Sequence, residues 1–212
     1  MPIIDLTYPI AADMPVYPGS PAPEIRAIAR LAESGFREKQ LCLASHTGTH
    51  VDAPHHLLPR GKTLDQFPVN HFVGPGFCID VSSVPDGIIE WAMLKAYEEK
   101  LRECELVFLR TGWGQFWGTP RYFSGYPVLT PEAARALAAC HIKAVGVDTL
   151  SVDTVDAVDL PVHCILMEDD VLIIENLAHL DRLTEGRINQ LCCLPLHLKD
   201  ADGAPARVIA IL

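Results

Sequence analysis

The sequence predicts a mixed α/β fold of the α+β kind, with many strands and a few helices. Short apolar runs at residues 77–81 and 105–111 are typical of buried strands. Residues 130–140 begin with threonine and proline and continue rich in alanine, which predicts a capped helix. A strand at residues 143–147 follows directly, and helix and strand alternating in this way indicate α/β packing.

The N-terminal third is predicted to be mainly extended. Residues 1–10 read as a strand and a turn, and residues 24–31 and 36–45 alternate in part, as strands do. Between the first two strands, residues 13–23 are rich in proline, which predicts a loop with a restricted backbone. Tyr17 lies in the middle of this loop, where a packing role and a binding role are both open.

Further elements are predicted towards the C-terminus. Asp86 is the expected N-cap of a helix whose apolar positions extend to Leu101. Residues 190–198 and 206–212 are expected to form a closing hairpin, joined by the turn at residues 200–203.

Composition limits the class of protein. The 212 residues are most simply one domain, residues 1–212, which is long enough to bury a good core. A formal charge of −10 argues against a nucleic-acid partner, and no apolar run reaches transmembrane length. The N-terminus lacks a signal-peptide pattern, and seven cysteines without a CxxC pair suggest reduced thiols, so we expect a cytoplasmic location.

The segment His46 to His56, HTGTHVDAPHH, carries the strongest chemical signal in the chain. His46, His50, Asp52 and His56 are separated by even numbers of residues, so an extended backbone would project them from one face. Imidazole and carboxylate are the usual ligands of Zn²⁺ and also bind Mn²⁺. A solvated histidine-rich loop is the alternative, but so many ligand types on one face favour a divalent metal site.

Three other groups of residues could belong to a site, and two of them remain open at this point. His163 and Glu175 stand beside apolar runs, where they are either lone polar residues or metal ligands. Asp148 and Asp153 are interpreted as loop caps and hydrogen-bond partners. Trp113 and its neighbours in a glycine-rich aromatic loop either pack at a rim or form a pocket wall.

The pattern H-x-G-T-H-x-D-x-P-x-H resembles the signature of the cyclase family, which includes bacterial kynurenine formamidases and isatin hydrolases. The resemblance extends over nearly the whole chain. It implies a swivelling β/β/α-type fold, with mixed β-sheets and flanking helices, assembled as a homodimer or homotetramer. The family's formamidases have a tryptophan in a VWPGD stretch, and the matching stretch here is Val16-Tyr17-Pro18-Gly19-Ser20.

The resemblance also implies a role for each site residue. His46, His50 and Asp52 would hold one metal, and Asp52, His163 and Glu175 a second. His56 would carry protons, and Tyr17 would stack on the substrate. Zn²⁺ is the implied metal, with two per subunit possible, and Mn²⁺ the alternative.

Three hypotheses about function follow. The first is an arylformamidase that hydrolyses N-formylkynurenine to kynurenine and formate in tryptophan catabolism. The second is a manganese-dependent hydrolase of a cyclic amide such as isatin. The third is a non-catalytic metal-binding protein, which the presence of His56 disfavours because a structural site needs no proton carrier. A small-molecule amide is the expected partner in the first two.

Overall fold

The computed structural model describes residues 1–212, which form strands, five α-helices and several short 3₁₀ turns. The strands are β1 (Ile3–Asp5), β2 (Glu24–Ala29), β3 (Glu38–Cys42), β4 (His50–Asp52), β5 (Val73–Asp80), β6 (Ile88–Ile89), β7 (Leu106–Arg110), β8 (Val128–Leu129), β9 (Ala144–Val147), β10 (Leu172–Glu175), β11 (Asn189–Pro195) and β12 (Gly203–Ile211). The helices are α1 (Leu31–Ser34), α2 (Trp91–Leu94), α3 (Glu98–Glu103), α4 (Pro131–Ala138) and α5 (Pro161–Glu168). None of these helices combines the length and the hydropathy that a membrane span requires.

A closed, mixed barrel forms the centre of the molecule. Its strand order is β12, β11, β5, β7, β9, β10 and β4, and β4 pairs back to β12. Strands β5, β7, β9 and β10 run parallel, while the other neighbours in the barrel pair antiparallel. Strand β1 extends the sheet by pairing with the far end of β12. The expected combination of mixed sheet and helices is therefore present.

The alternating side chains of the barrel strands divide the core in two. On β7, Leu106 and Phe108 belong to a cluster that includes residues of β4, β11 and β12. Val107 and Leu109 belong to a second cluster, which they share with α4 and α5. Because both faces of β7 are buried, its sequence is continuously apolar, as expected for a covered parallel strand.

Helix α4 begins as its sequence predicts. The Thr130 hydroxyl accepts a hydrogen bond from the backbone N–H of Ala133 at 3.1 Å, and Pro131 occupies the first helical position. Both features satisfy the geometry of a helix N-terminus. Helix α4 then covers the barrel through Ala134 and Leu137, which are buried.

The helix expected to begin at Asp86 begins later. Residues Pro85–Gly87 form a 3₁₀ turn in which Asp86 has a φ of 54°, so it does not cap a helix. Ile88–Ile89 then pairs with Val128–Leu129 as a short parallel strand, and the helical segment starts at Trp91. Turn chemistry at proline, aspartate and glycine therefore overrides the apolar periodicity that continues through this segment.

The position of β4 in the barrel creates the candidate site. β4 lies between β10 and β12, so two distant parts of the chain reach its two sides. On one side Glu175 is paired with His50, and on the other Gly203 is paired with Asp52. Side chains of directly opposite residues lie close together on the same face of a sheet. The barrel register thus brings the end of β10 and the start of β12 to the histidine-rich segment.

Candidate metal centre

The centre is built on β4, where His50 and Asp52 project on one face and are both buried. The Nε2 atom of His50 lies 3.1 Å from Oδ1 of Asp52 and 3.5 Å from Oε2 of Glu175. The opposite ring nitrogen of His50, Nδ1, is 2.8 Å from the carbonyl oxygen of Gly48. This backbone contact leaves Nε2 directed at the two carboxylates.

The other two histidines of the motif reach the site by a different route from the one expected. His46 lies in a turn before β4, and His56 lies in a 3₁₀ turn, Pro54–His56, after it. The expectation that an extended backbone carries all four side chains is therefore wrong at both ends. Ala53 is extended, as the following Pro54 favours, but the chain turns immediately afterwards. Both rings still face the centre, with their centroids 4.0 Å apart.

The second group of residues comes from α5 and β10. His163 lies in the first turn of α5, and its Nε2 is 3.3 Å from Oε1 of Glu175 and 3.8 Å from Oδ2 of Asp52. Asp153 accepts hydrogen bonds from the backbone N–H groups of Val162 and His163, and its carboxylate lies 2.7 Å from Nδ1 of His163. Asp153 therefore caps the N-terminus of α5 and also orients the imidazole of His163.

Three sets of three side chains could each hold a metal ion in this arrangement. One is His46, His56 and Asp202, and the two that match the sequence expectation are His46, His50 and Asp52, and Asp52, His163 and Glu175. Asp52 belongs to both of the latter sets, so its two oxygens face different groups of histidines. The structure thus brings together the five residues that the sequence suggested as ligands, and their roles as ligands remain a prediction.

Two orphaned atoms show that a cation fits this donor set. Nε2 of His50 and Oε1 of Glu175 are buried and make no hydrogen bond, because their approaches of 3.1 Å to Asp52 and 3.3 Å to His163 lack hydrogen-bond geometry. A buried polar atom without a partner costs free energy, typically about 1–3 kcal/mol. A divalent cation held by each of their ligand sets would satisfy these atoms, and a mixture of imidazole and carboxylate suits Zn²⁺ or Mn²⁺.

The electrostatics of the centre also favour a cation. Burial alone would lower the pKa of His46, but Asp52 and Asp202 outweigh it and raise the pKa to about 9. Burial acts in the same direction on His163, whose pKa is nonetheless raised to about 10 by Asp153 and Glu175. The carboxylates therefore stabilise positive charge at this position.

His56 differs from these ligand-like histidines. Its ring is half-buried at the edge of the centre, and burial, followed by the charge of His46, lowers its pKa. A histidine of this kind is neutral near pH 7 and can accept a proton.

A cavity of about 210 Å³ opens above these side chains. Tyr17 forms part of its wall, and its hydroxyl donates a hydrogen bond to the carbonyl oxygen of Val155 at 3.4 Å. Trp113 and Trp117 do not line the cavity. They pack beside it in an aromatic cluster, where Trp117 stacks on Tyr8 with 4.0 Å between ring centroids. The structure therefore favours packing for the two tryptophans.

Sequence reasoning missed two residues of this site. Asp202 was assigned only to the turn of the closing hairpin, yet its Oδ2 lies 3.0 Å from Nε2 of His46. Asn176 follows Glu175 and donates to the carbonyl oxygen of Gly48 at 3.0 Å. Asn176 follows a proposed ligand directly in the sequence, and this position could have identified it as a site residue. No sequence feature near Asp202 predicts that it belongs to the site.

Gly203→Ala should disturb His46 without touching the other residues expected to be ligands. A Cβ atom at position 203 would lie 2.6 Å from Cε1 of His46, which is closer than real contacts allow. We expect metal affinity to fall by about 10–100-fold, because a displaced ligand is lost from the centre. Competition for Zn²⁺ against a chromophoric chelator measures this, and an unchanged affinity would contradict the position given to the His46 ring.

Comparison with known proteins places the chain in a family. The Cyclase family model matches residues 4–154, which is more than half of the chain. The chain belongs to the cyclase family. The match includes the whole histidine-rich motif and ends before His163, Glu175 and Asp202, which the fold brings to it.

Relatives of this cyclase-family protein cover almost its whole length. Kynurenine formamidase of Bacillus thuringiensis (strain Al Hakam) is 34% identical over 208 residues, covering 97% of this chain and 95% of the relative. A solved structure described as a potential metal-dependent hydrolase with cyclase activity shares 30% identity and a TM-score of 0.82, covering 99% and 96% of the two chains. Isatin hydrolase A from Labrenzia aggregata, bound to benzyl benzoate, shares 26% identity and a TM-score of 0.85, covering 99% and 93%. The predicted family and fold class are confirmed.

Proposed function

We propose that this cyclase-family protein is a metal-dependent amide hydrolase, and most specifically an arylformamidase. The observation that carries the proposal is the pair of ligand sets that share Asp52 at the base of a cavity. The substrate would be N-formylkynurenine, which is cleaved to kynurenine and formate as a step of tryptophan catabolism. The kynurenine formamidases among the relatives support this choice of substrate.

The residues present fit a role in amide hydrolysis. A divalent cation held by His46, His50, Asp52, His163 and Glu175 would polarise the amide carbonyl and lower the pKa of water to about 7. The carboxylates of Asp52 and Glu175 are buried at the base of the cavity, where they would hold this charge. Zn²⁺, with up to two ions per subunit, is the metal we propose, and Mn²⁺ is the alternative.

His56 would move the protons of the reaction. It would accept one from the attacking water while the carbonyl carbon gains its new C–O bond. It would then donate that proton to the nitrogen of the leaving arylamine as the C–N bond breaks. The lowered pKa of His56 supports the first step, because a neutral imidazole is the form that accepts.

Tyr17 would hold the aromatic ring of the substrate. Its own ring lies in the cavity wall, and its hydrogen bond to Val155 fixes the proline-rich loop against the loop before α5. Aromatic rings pack favourably in offset or edge-to-face arrangements.

The direct test is to load the purified protein with Zn²⁺ and measure formate released from N-formylkynurenine. We expect turnover that chelation abolishes and added metal restores. Hydrolysis of isatin alone, greatest with Mn²⁺, would favour the second function, which the similarity to isatin hydrolase A supports. Tight metal binding with no hydrolysis of either amide would instead support a non-catalytic metal-binding protein.

Assembly, location and domain organisation belong to the same proposal. The hairpin of β2 and β3 exposes Ile28, Phe36 and Leu41, which supports assembly as a homodimer or homotetramer. Light scattering of the purified protein measures the subunit number. One domain, residues 1–212, is supported by the pairing of β1, from the start of the chain, with β12, from its end. A cytoplasmic location agrees with seven unpaired cysteines, of which Cys193 is deeply buried.

A further inference from the structure

The three histidines proposed as ligands share one feature: each has its outer ring nitrogen held by an oxygen atom. The Gly48 carbonyl lies 2.8 Å from Nδ1 of His50, and the Asp153 carboxylate lies 2.7 Å from Nδ1 of His163. In His46 the two ring nitrogens have exchanged roles relative to His50 and His163. Nδ1 is 2.6 Å from Asp52, on the inner side, and Nε2 is the outer atom.

The oxygen that holds His46 belongs to Asp202. Its Oδ2 lies 3.0 Å from Nε2 of His46, and it also accepts a hydrogen bond from the Ser45 hydroxyl at 3.4 Å. Metal-binding histidines in proteins commonly donate their second N–H to a carboxylate or carbonyl, which fixes the ring and raises its basicity. Asp202 supplies this contact for His46 from a part of the chain that lies far away in sequence.

The backbone around Asp202 is fixed to the metal-binding segment. The carbonyl oxygen of Asp202 accepts from the N–H of Ala53 at 2.9 Å, directly after β4. The next residue, Gly203, lies against the His46 ring so closely that no Cβ fits. These contacts set Asp202 apart from an ordinary residue of a hairpin turn, although its side chain is partly exposed.

Asp202 also faces the proton carrier. Its Oδ2 lies 3.7 Å from Nδ1 of His56, whose ring is tilted by 40° against that of His46. The Asp202 carboxylate therefore lies against both His46, the proposed ligand, and His56, the proposed acid–base group. This contact is longer than a hydrogen bond, so its effect on His56 is the weaker of the two.

We propose that Asp202 is a positioning residue of this site, which holds His46 through Nε2–H and orients the neighbouring His56. The inference rests on the proposed metal-dependent function. Asp202 is not itself a ligand of the proposed centre, because it lies across the His46 ring from Asp52. The three residues His46, His56 and Asp202 do form a possible ligand set of their own, so the test must separate positioning from ligation.

The experiment compares Asp202→Ala and Asp202→Asn with the unaltered protein. Asp200→Asn is the matched control, since it removes an exposed carboxylate two residues away that does not face the site. Each protein is titrated with Zn²⁺ in competition with a chromophoric chelator, which gives both affinity and the number of ions bound. Steady-state kinetics with N-formylkynurenine then separate kcat from KM.

We expect Asp202→Ala to bind the same number of ions with about 10–100-fold lower affinity and to lose a similar factor in kcat, with KM little changed. Asp202→Asn should retain most of the affinity, because its amide oxygen still accepts the His46 N–H. Unaltered affinity in Asp202→Ala would overturn the inference, and so would equal losses in both variants. Loss of one bound ion at saturation would show that Asp202 is a ligand. A parent protein that binds no Zn²⁺ would refute the proposed function itself.

Discussion

Replacing Asp52 by asparagine is expected to empty the centre of metal and to lower kcat/KM by about a thousandfold. Asp52 is the residue shared by both ligand sets, so no other single carboxylate affects as many donors. A Lewis acid contributes several kcal/mol to stabilising a transition state, and about 1.4 kcal/mol corresponds to a factor of ten. Elemental analysis of the purified variant and formate release are the two measurements.

Asparagine has nearly the shape of aspartate, so the buried end of β4 should still fold. Asp159→Asn is a suitable control, because Asp159 is exposed on the loop before α5 and belongs to neither ligand set. Circular dichroism checks that both variants retain their structure. If Asp52→Asn bound metal as the parent protein does, the shared role of this carboxylate would be wrong.

His56→Ala is expected to lose turnover while it retains its metal, unlike Asp52→Asn, which should lose both. General acid–base catalysis by one positioned side chain typically contributes about 10²–10⁴-fold, so kcat should fall by that factor. The half-buried ring lies beside His46 but belongs to neither of the two sets that share Asp52. Metal content and kcat measured on the same preparation test both parts of the prediction.

The adjacent histidine provides a control with the same chemistry. His55 precedes His56 but is exposed, and it does not line the cavity. His55→Ala should therefore leave kcat unchanged. Undiminished hydrolysis by His56→Ala would exclude it as the proton carrier, and equal losses in the two variants would indicate a disturbed turn instead.

The part of the site on β4 could be predicted from the sequence, because one short segment contains both the donor residues and the strand that positions them. His50 and Asp52 share a face since β4 is a strand, and side chains alternate along strands. The same rule does not apply to His46 and His56, which stand outside the strand. Turns bring these two rings to the centre, and the alternation of side chains along a strand does not hold in a turn.

The long-range part could not be derived from pattern alone. His163 and Glu175 were suggested as ligands by family resemblance, and the physical cause of their proximity is the pairing of β10 with β4. The helix carrying His163 was not anticipated, because its apolar residues resemble a buried strand segment over so short a length. Asp202 depends on the pairing of β12 with the other side of β4, which no local pattern encodes.

The central claim is that side chains from β4, α5 and β10 surround a divalent cation. Anomalous diffraction from crystals of the Zn²⁺-loaded protein tests it most directly, since the signal locates the metal itself. The account predicts a peak at one or both of the two sets that share Asp52, which are His46, His50 and Asp52, and Asp52, His163 and Glu175. Fully loaded crystals with no peak at either set, or with zinc bound only elsewhere on the molecule, would contradict it.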